Sequence, residues 1–531
     1  KETKLKKEEI LSLIEIPPSP DLGDYAFPCF ILAKIMKKNP VEIAKELEKK
    51  LNSSNEIEKI HSKGAYLNFF INKNFLAEQI LSIGSNFGKG KNKEKILLEH
   101  TSVNPNASPH VGRARNSIIG DSIKRILEFA GHKVETHYYV NDVSKQVAML
   151  ALNFKENDTF DDLLKRYMDI SKKVKENERL ENEVFQLLNK FENKEKSTVN
   201  LFKKIVGIAV KGQREIFSFI GINFDYFDYE SKYIDAGKKI LDELKKTGKL
   251  FKDEENRLVL NQKGTGIENK MKSPVLVLTR NDGTGLYILR DLAYTIDKCK
   301  KARNILILGE DQKLYFEQLK HALILLKKPY PQVIHYSFVL LKDIGKMSTR
   351  SGEVVLLEEF LREAIAKARE EIKKRKSKGN AGKIGIGAIK YAMLRNENNK
   401  NITFDWQQAL SFEGDSGPYL QYSYARASSI LKKAGNLKKK IKILHIDNKE
   451  FELIKEILKF PEVVNQAYKN LSPHIIANYS FDLAQKFNEF YHICPVIESL
   501  EKDFRLYLVQ AFRIVIKQAL YLLGIEVMEE M

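Results

Sequence analysis

The sequence predicts a multidomain α/β protein built around a parallel, doubly wound sheet. Three observations carry that reading. Short apolar runs alternate with helical periodicity from residue 96 onward, the pattern that builds parallel sheets flanked by helices. A charged, helix-rich stretch from 145 to 270 interrupts the alternation, as an insertion would. Beyond Phe360 the apolar spacing is helical almost throughout. The expected fold class is therefore a Rossmann-like domain carrying a helical insertion, with a small α+β domain before it and an all-α bundle after it.

The elements follow in order. Residues 1–85 read as the α+β unit: Phe30, Leu32, Ile35 and Met36, then Val41, Ile43, Ala44 and Leu47, have helical spacing, and Pro40 suits a first helical turn. Residues 64–71 read as a strand, and the lysines at 85–95 read as a linker. Residues 86–150 hold the first half of the sheet domain. A strand at Ile96-Leu97-Leu98 leads into a helix bearing Ile118, Ile119, Ile123, Ile126 and Leu127, stopped near Gly131, and Val134 to Val140 is the next strand. Residues 151–270 are the expected inserted domain. Residues 271–375 return strands at 275–278, 305–308 and 333–336 as the second half of the sheet, and 376–531 form the helical domain, with helices at 384–395, 419–434, 450–470, 474–492 and 501–522 after one at 360–375.

Composition bounds the function. With 531 residues, 43% of them hydrophobic and 10% aromatic, the chain fills several cores, which excludes a disordered or fibrous protein. Lys and Arg number 89 against 70 Asp and Glu, a net +19 that favours a polyanionic partner and equally fits a Lys-rich solvated surface. The three cysteines, Cys29, Cys299 and Cys494, are too far apart in sequence for a Cys-x-x-Cys zinc site or a disulfide framework, so buried thiols and no structural zinc are expected. Neither a signal-peptide pattern nor an 18-residue apolar run occurs, so the expectation is a cytoplasmic protein with no membrane partner.

Two segments carry phosphate chemistry. Pro109-His110-Val111-Gly112-Arg113 follows a strand and opens a helix. Glycine lets backbone approach a ligand there, and the helix start offers unpaired N–H groups to an anion. His110 can donate to developing phosphoryl charge and Arg113 or Arg115 can add countercharge, or the histidine simply orients the turn. Gly345-Lys346-Met347-Ser348-Thr349-Arg350 is a polar loop with glycine near both ends, suited to closing Lys346 onto phosphates.

A second group suits a cation. Glu99 interrupts an apolar strand, as either a surface ion pair or a receptor for a cationic substrate, and Asn104-Pro105-Asn106 follows. Tyr287 and Asp291 share a face if helical, and Gln312 sits after another strand. On 418–426, Tyr419, Gln421, Tyr422 and Arg426 interleave aromatic and polar groups, either as core residues or as a nucleic-acid surface.

Together these residues resemble the class I arginyl-tRNA synthetases over nearly the whole chain. Pro109 to Arg113 is similar to the first family signature, Gly345 to Arg350 to the second, and Gly417 to Tyr422 with Leu522 to Met531 to the helical anticodon-binding domain. The resemblance implies ATP-dependent ligation of L-arginine to tRNA(Arg) through an arginyl-adenylate, with Mg²⁺ accompanying ATP, activation requiring tRNA, and a monomeric enzyme. It assigns His110, Gly112, Lys346, Met347 and Ser348 to ATP, with His110, Lys346 and Arg113 catalytic. Glu99, Asn104, Tyr287, Asp291 and Gln312 are assigned to arginine. The unit containing Gly23-Asp24-Tyr25 and Lys38-Asn39-Pro40 would read the tRNA elbow. Two departures stand out: Arg113 occupies the place of the usual second histidine, and Ser351 that of a common lysine.

Overall fold

The strand expected at 64–71 is the middle of a three-stranded antiparallel sheet of β1 (Tyr25–Pro28), β2 (Ile57–Lys63) and β3 (Tyr66–Ile71), in the order β1-β3-β2. The computed structural model describes residues 2–342, 345–346, 355–438 and 441–531. Around the sheet lie α1 (Lys7–Leu13), α2 (Phe30–Met36), α3 (Pro40–Lys50) and α4 (Lys73–Ile80). Phe27, Cys29, Leu32, Ile43, Ala44, Leu47 and Leu67 form the core. Asn39 caps α3 by accepting from Val41 N at 2.9 Å, with Pro40 in the first turn as its fixed φ predicts. Gly23 has φ +96°, and a Cβ there would lie 2.8 Å from Phe69 O, so no larger residue fits. Residues 427–460 and 482–515 belong to the same compact unit as 1–87. Within it Lys455 reaches Asp24 at 2.7 Å.

The other unit comprises 88–426, 461–481 and 516–531. It begins with β4 (Lys95–Glu99), α5 (Val111–Phe129) and β5 (Lys133–Val140), followed by α6 (Lys145–Asn153), α7 (Phe160–Glu176), α8 (Glu178–Glu192) and α9 (Lys196–Phe219). Next come β6 (Tyr226–Tyr229), α10 (Ile234–Lys245), β7 (Leu250–Lys252), β8 (Leu258–Asn261), β9 (Val275–Val277), α11 (Tyr287–Lys301), β10 (Arg303–Gly309), α12 (Lys313–Leu325) and β11 (Gln332–Tyr336). The five-stranded sheet has the order β11-β10-β4-β5-β6, with every pair parallel. Chain direction across the sheet reverses between β4 and β10, and ligands of doubly wound sheets bind outside the strand ends at that point.

Two strand readings change. Val275–Val277 lies outside the parallel sheet and pairs antiparallel with β8, which also pairs with β7. The connection from β8 holds only a short 3-10 turn, whereas a parallel pairing needs a crossover long enough to cross the sheet. Conversely, Tyr226–Tyr229 inside the charged stretch joins the sheet as its edge strand. Short, partly exposed and interrupted by Asp228, it shows no continuous apolar run.

The rest is β12 (Val339–Leu341), β13 (Gly345–Lys346), α13 (Leu357–Arg375), α14 (Ala381–Leu394), β14 (Ile402–Phe404), α15 (Trp406–Ala409), α16 (Gly417–Ala434), α17 (Asn448–Leu458), α18 (Phe460–Asn470), α19 (His474–Ile493) and α20 (Lys502–Leu522). The helix expected at 450–470 is two, separated at Lys459. The last residues anchor in the sheet unit. Leu522 O accepts from Ser122 Oγ at 2.7 Å, Gly524 O from Lys390 Nζ at 2.6 Å, and Glu529 from the Tyr424 hydroxyl at 2.7 Å.

Close approach of α5 to β4 depends on a missing side chain. A Cβ on Gly120 would lie 2.2 Å from the His100 ring. Burial pushes His100 down to about 4 from 6.5. The unfolded chain therefore takes this proton first as pH falls. The stability is fully present above about pH 6.5 and is lost toward pH 4, amounting to about 1 kcal/mol by pH 5.5. Urea unfolding at pH 7 and 5.5 is expected to show a smaller loss for His100→Gln than for the parent chain.

Candidate active site

The turn after β4 leads straight to α5. Thr101 adopts φ +67°, a strained value for a β-branched residue, and is fixed by hydrogen bonds with Ser117 Oγ (2.7 Å) and His100 Nδ1 (2.9 Å). Gln213 of the inserted α9 then braces the loop, donating to Asn104 O at 3.0 Å and Ala107 O at 2.9 Å, while its own Oε1 accepts from Tyr138 at 2.9 Å. His110 is the N-cap residue of α5, with extended backbone and a side chain that caps nothing. Its Nδ1 is buried without a hydrogen-bond partner. Burial first, then Arg113, pull the imidazole down to about 4, so it is neutral near pH 7. A Cβ on Gly112 would stand 3.1 Å from His110 Cε1, so glycine leaves the ring room.

This turn is tied to the segment before α13: Val111 N donates to Val355 O at 3.1 Å and Leu357 N to Pro109 O at 2.8 Å. Lys346 lies in β13, paired with Leu340. Met347 and Ser348, with the departure at Ser351, lie outside the described residues. Arg113 is half-buried and bonds to Tyr336 at the end of β11. Arg115 differs from the expected countercharge. It is fully buried and donates to Ser337 O (2.6 Å), Lys400 O (2.7 Å) and Glu397 O (3.1 Å), so it clamps backbone.

Near the reversal point Glu99 and Asp291 form an acidic cluster, close enough for Glu99 to act on the Asp291 carboxyl. Glu99 ends β4 and is held by Lys298 of α11, a buried rather than a surface ion pair. Tyr287 opens α11, so the expected face is real: its ring is 5.3 Å from that of Tyr315, whose hydroxyl donates to Asp291 Oδ2 at 2.6 Å. Burial raises Asp291 to about 6, opposed by the Tyr315 hydrogen bond. Arg290 leaves this face to pair with buried Glu230 at 2.5 Å, and burial pushes Glu230 up to about 7 against that pairing. Gln312 closes the 3-10 turn after β10, and the Asn104 side chain is exposed. Tyr315, Tyr294, Lys298 and Gln213 escaped the sequence reading. Tyr294 and Lys298 fall three and seven residues after Asp291, spacing that places them on its helical face.

The 418–426 residues separate. Gln421 is fully buried and donates to Lys383 O (3.1 Å) and Glu526 O (2.8 Å), which corrects its reading as a tRNA contact: both donors are spent inside the fold. Tyr419 and Tyr422 are half-buried, and Arg426 stacks over the Tyr422 ring at 4.6 Å. Among the described residues no three His, Cys, Asp or Glu side chains group to hold a metal, and no helix is long and apolar enough to cross a membrane.

A parallel sheet of this order, a His-x-Gly turn opening a helix at its reversal point and a Lys-Met-Ser segment after its last strand define a class I aminoacyl-tRNA synthetase. Comparison with known proteins narrows this. Residues 77–406 match the family described as tRNA synthetases class I (R), catalytic domain; 420–531 match the DALR anticodon binding domain, and 1–71 the arginyl tRNA synthetase N terminal domain. The arginine–tRNA ligase of Methanocaldococcus jannaschii is 39% identical, over 98% of this chain and 95% of its own. That of Clostridium perfringens is 35% identical, over 99% and 97%. The Thermus thermophilus arginyl-tRNA synthetase superposes with a TM-score of 0.82 at 29% identity, over 98% of this chain and 96% of that one. The chain belongs to the class I arginyl-tRNA synthetases. It is a ligase that joins arginine to tRNA(Arg) using ATP.

Proposed function

We propose that ligation runs in two displacements at the β4–β10 reversal point. An arginine carboxylate oxygen attacks the α-phosphorus of ATP, the bond to pyrophosphate breaks, and arginyl-adenylate forms. A hydroxyl of the terminal tRNA ribose then attacks the adenylate carbonyl, and AMP leaves. Neither step uses a protein nucleophile, so the gain comes from positioning and from stabilising phosphoryl charge. ATP enters with Mg²⁺ on its phosphates. His110, Gly112 and the start of α5 bind those phosphates, Lys346, Met347 and Ser348 are assigned to ATP as well, and Arg113 adds charge. Asp291, Tyr287 and Glu99 receive the guanidinium, for which carboxylates are the matched acceptors. Asn104 and Gln312 orient the amino-acid end.

The observations that carry this reading are a buried, unpartnered His110 Nδ1 at the start of α5 and, at the end of the central strand β4, Glu99 acting on the buried Asp291. Activation needs bound tRNA, with residues 1–85 reading its elbow and 376–531 its anticodon region through Tyr419, Tyr422 and Arg426. The enzyme acts as a cytoplasmic monomer without structural zinc. No editing step is required, because a pocket built for a charged group rejects analogues lacking it.

The test is aminoacylation of total tRNA with each amino acid in turn, beside ATP–pyrophosphate exchange with and without tRNA. Charging by arginine alone, with exchange only when tRNA is present, is expected. Exchange driven by arginine in the absence of tRNA would remove the tRNA requirement, and charging by another amino acid would remove the pocket assignment.

A further inference from the structure

Lys298 is a buried ammonium whose place is set from several sides. Its Nζ pairs with Glu99 Oε2 and lies 3.9 Å from the centre of the Tyr294 ring. That ring is itself fixed, stacked on Tyr139 at 4.4 Å and 12°, with its hydroxyl donating to Asp228 Oδ2 at 2.8 Å. His137 bonds the same Asp228 oxygen at 2.6 Å. A cation held against an aromatic face and a carboxylate has little freedom to turn elsewhere. The pairing engages one Glu99 oxygen and leaves the other to accept from a ligand.

We propose that Lys298 is a positioning residue for arginine recognition: it holds Glu99 as a fixed counter-charge, so that Glu99 and Asp291 face the substrate as two acceptors. The proposal rests on the arginine-pocket reading above. Two carboxylates facing one small space repel, and the cheapest relief is a shared proton, which would leave one acceptor too few for a guanidinium. Lys298 supplies the relief instead.

The electrostatic surroundings are consistent. Burial is the main cause that raises Asp291 to about 6; Glu99 raises it further, while Tyr315, Lys298 and Thr295 lower it. From β5, His137 and Tyr139 face the cluster; from β6 and the turn after it come Asp228, Glu230 and Tyr233. On α11 itself, Tyr287, Arg290, Tyr294 and Cys299 complete the ring, with Tyr315 from α12. Arg290 is committed to Glu230, which makes Lys298 the cation at Glu99.

Removing the ammonium leaves Asp291 opposite an uncompensated Glu99, so the pair takes up a proton at higher pH. For Lys298→Met, the KM for arginine at pH 6.5 is expected to rise about tenfold over the parent, narrowing to about threefold or less at pH 8.5, with the KM for ATP unchanged. Lys298→Arg keeps the parent profile. Glu99→Gln with Lys298→Met removes both charges and restores the parent pH profile, and it keeps the test available where the single variant does not fold. A KM increase equal at all pH values, or an arginine variant behaving like the methionine one, overturns the proposal. Asp291→Asn separates the two readings. If it leaves the KM for arginine unchanged, the pocket assignment falls and Lys298 with it. If it raises that KM while Lys298→Met leaves the pH profile unmoved, only the role of Lys298 falls.

Discussion

Asp291→Ala is expected to raise the KM for arginine by about two orders of magnitude while the KM for ATP stays within about twofold, as hydrogen bonds to a charged partner are worth about 1.5–3 kcal/mol and each 1.4 kcal/mol is tenfold. The carboxylate lies on the first turns of α11, one oxygen fixed by the Tyr315 hydroxyl at 2.6 Å. That bond orients the acceptor before substrate arrives, so little is lost in ordering it on binding. Truncation leaves the Tyr315 hydroxyl without its acceptor and a guanidinium facing one carboxylate where two stood. The pH dependence has a definite sign. Burial raises Asp291 to about 6, and only the ionised form attracts the substrate. The KM for arginine should therefore climb as pH falls through 6 and flatten above 7. Separate arginine and ATP titrations across pH 5.5–8 check both statements, and an unchanged arginine dependence would remove Asp291 from the pocket.

The second large effect belongs to His110. His110→Ala is expected to lower kcat for arginine-dependent exchange by about 10²–10³, the range for losing one donor to developing charge, with little change in the KM for arginine. The turn itself should persist, because it is held by backbone bonds to Val355 and Leu357 rather than by the imidazole. Since burial and Arg113 hold the ring near 4, it acts as a neutral donor, and kcat should show no inflection from its titration between pH 6 and 8. His110→Asn, which also donates without titrating, should recover part of the loss. A rate equal to the parent in the alanine variant would reduce His110 to a turn residue.

Much of this was legible in the chain. Apolar runs at 96–98, 134–140, 305–308 and 333–336 became strands of one parallel sheet, because strands buried on both faces need such runs. The strand Tyr226–Tyr229 does not announce itself, since it is four partly exposed residues interrupted by Asp228 and so offers no apolar run. Val275–Val277 has the composition of a core strand, but composition is silent on which partner a strand takes. At the site, Glu99 stands out as a charge ending an apolar strand, and Asp291 by its spacing of four from Tyr287 on a helical face. Lys298 does not, because a lysine in a helix rich in lysines looks solvated until its neighbours across the fold are known. Arg115 misled for the opposite reason: its place beside the His-x-Gly turn suggests phosphate, while three backbone carbonyls 222 to 285 residues away claim it.

The anchoring of Leu522, Gly524 and Glu529 carries a consequence for synthesis. The Ser122 and Tyr424 hydroxyls donate to these residues, and the Ser122 contact spans 400 residues of chain. At about 5–20 residues per second, a ribosome needs some tens of seconds between making α5 and releasing the tail that completes its packing. Through that interval the nascent sheet unit has its early helix and lacks the last piece of its cover. A transcript cut a few codons short therefore yields a chain whose substrate residues are all present and whose catalytic unit is left unfinished.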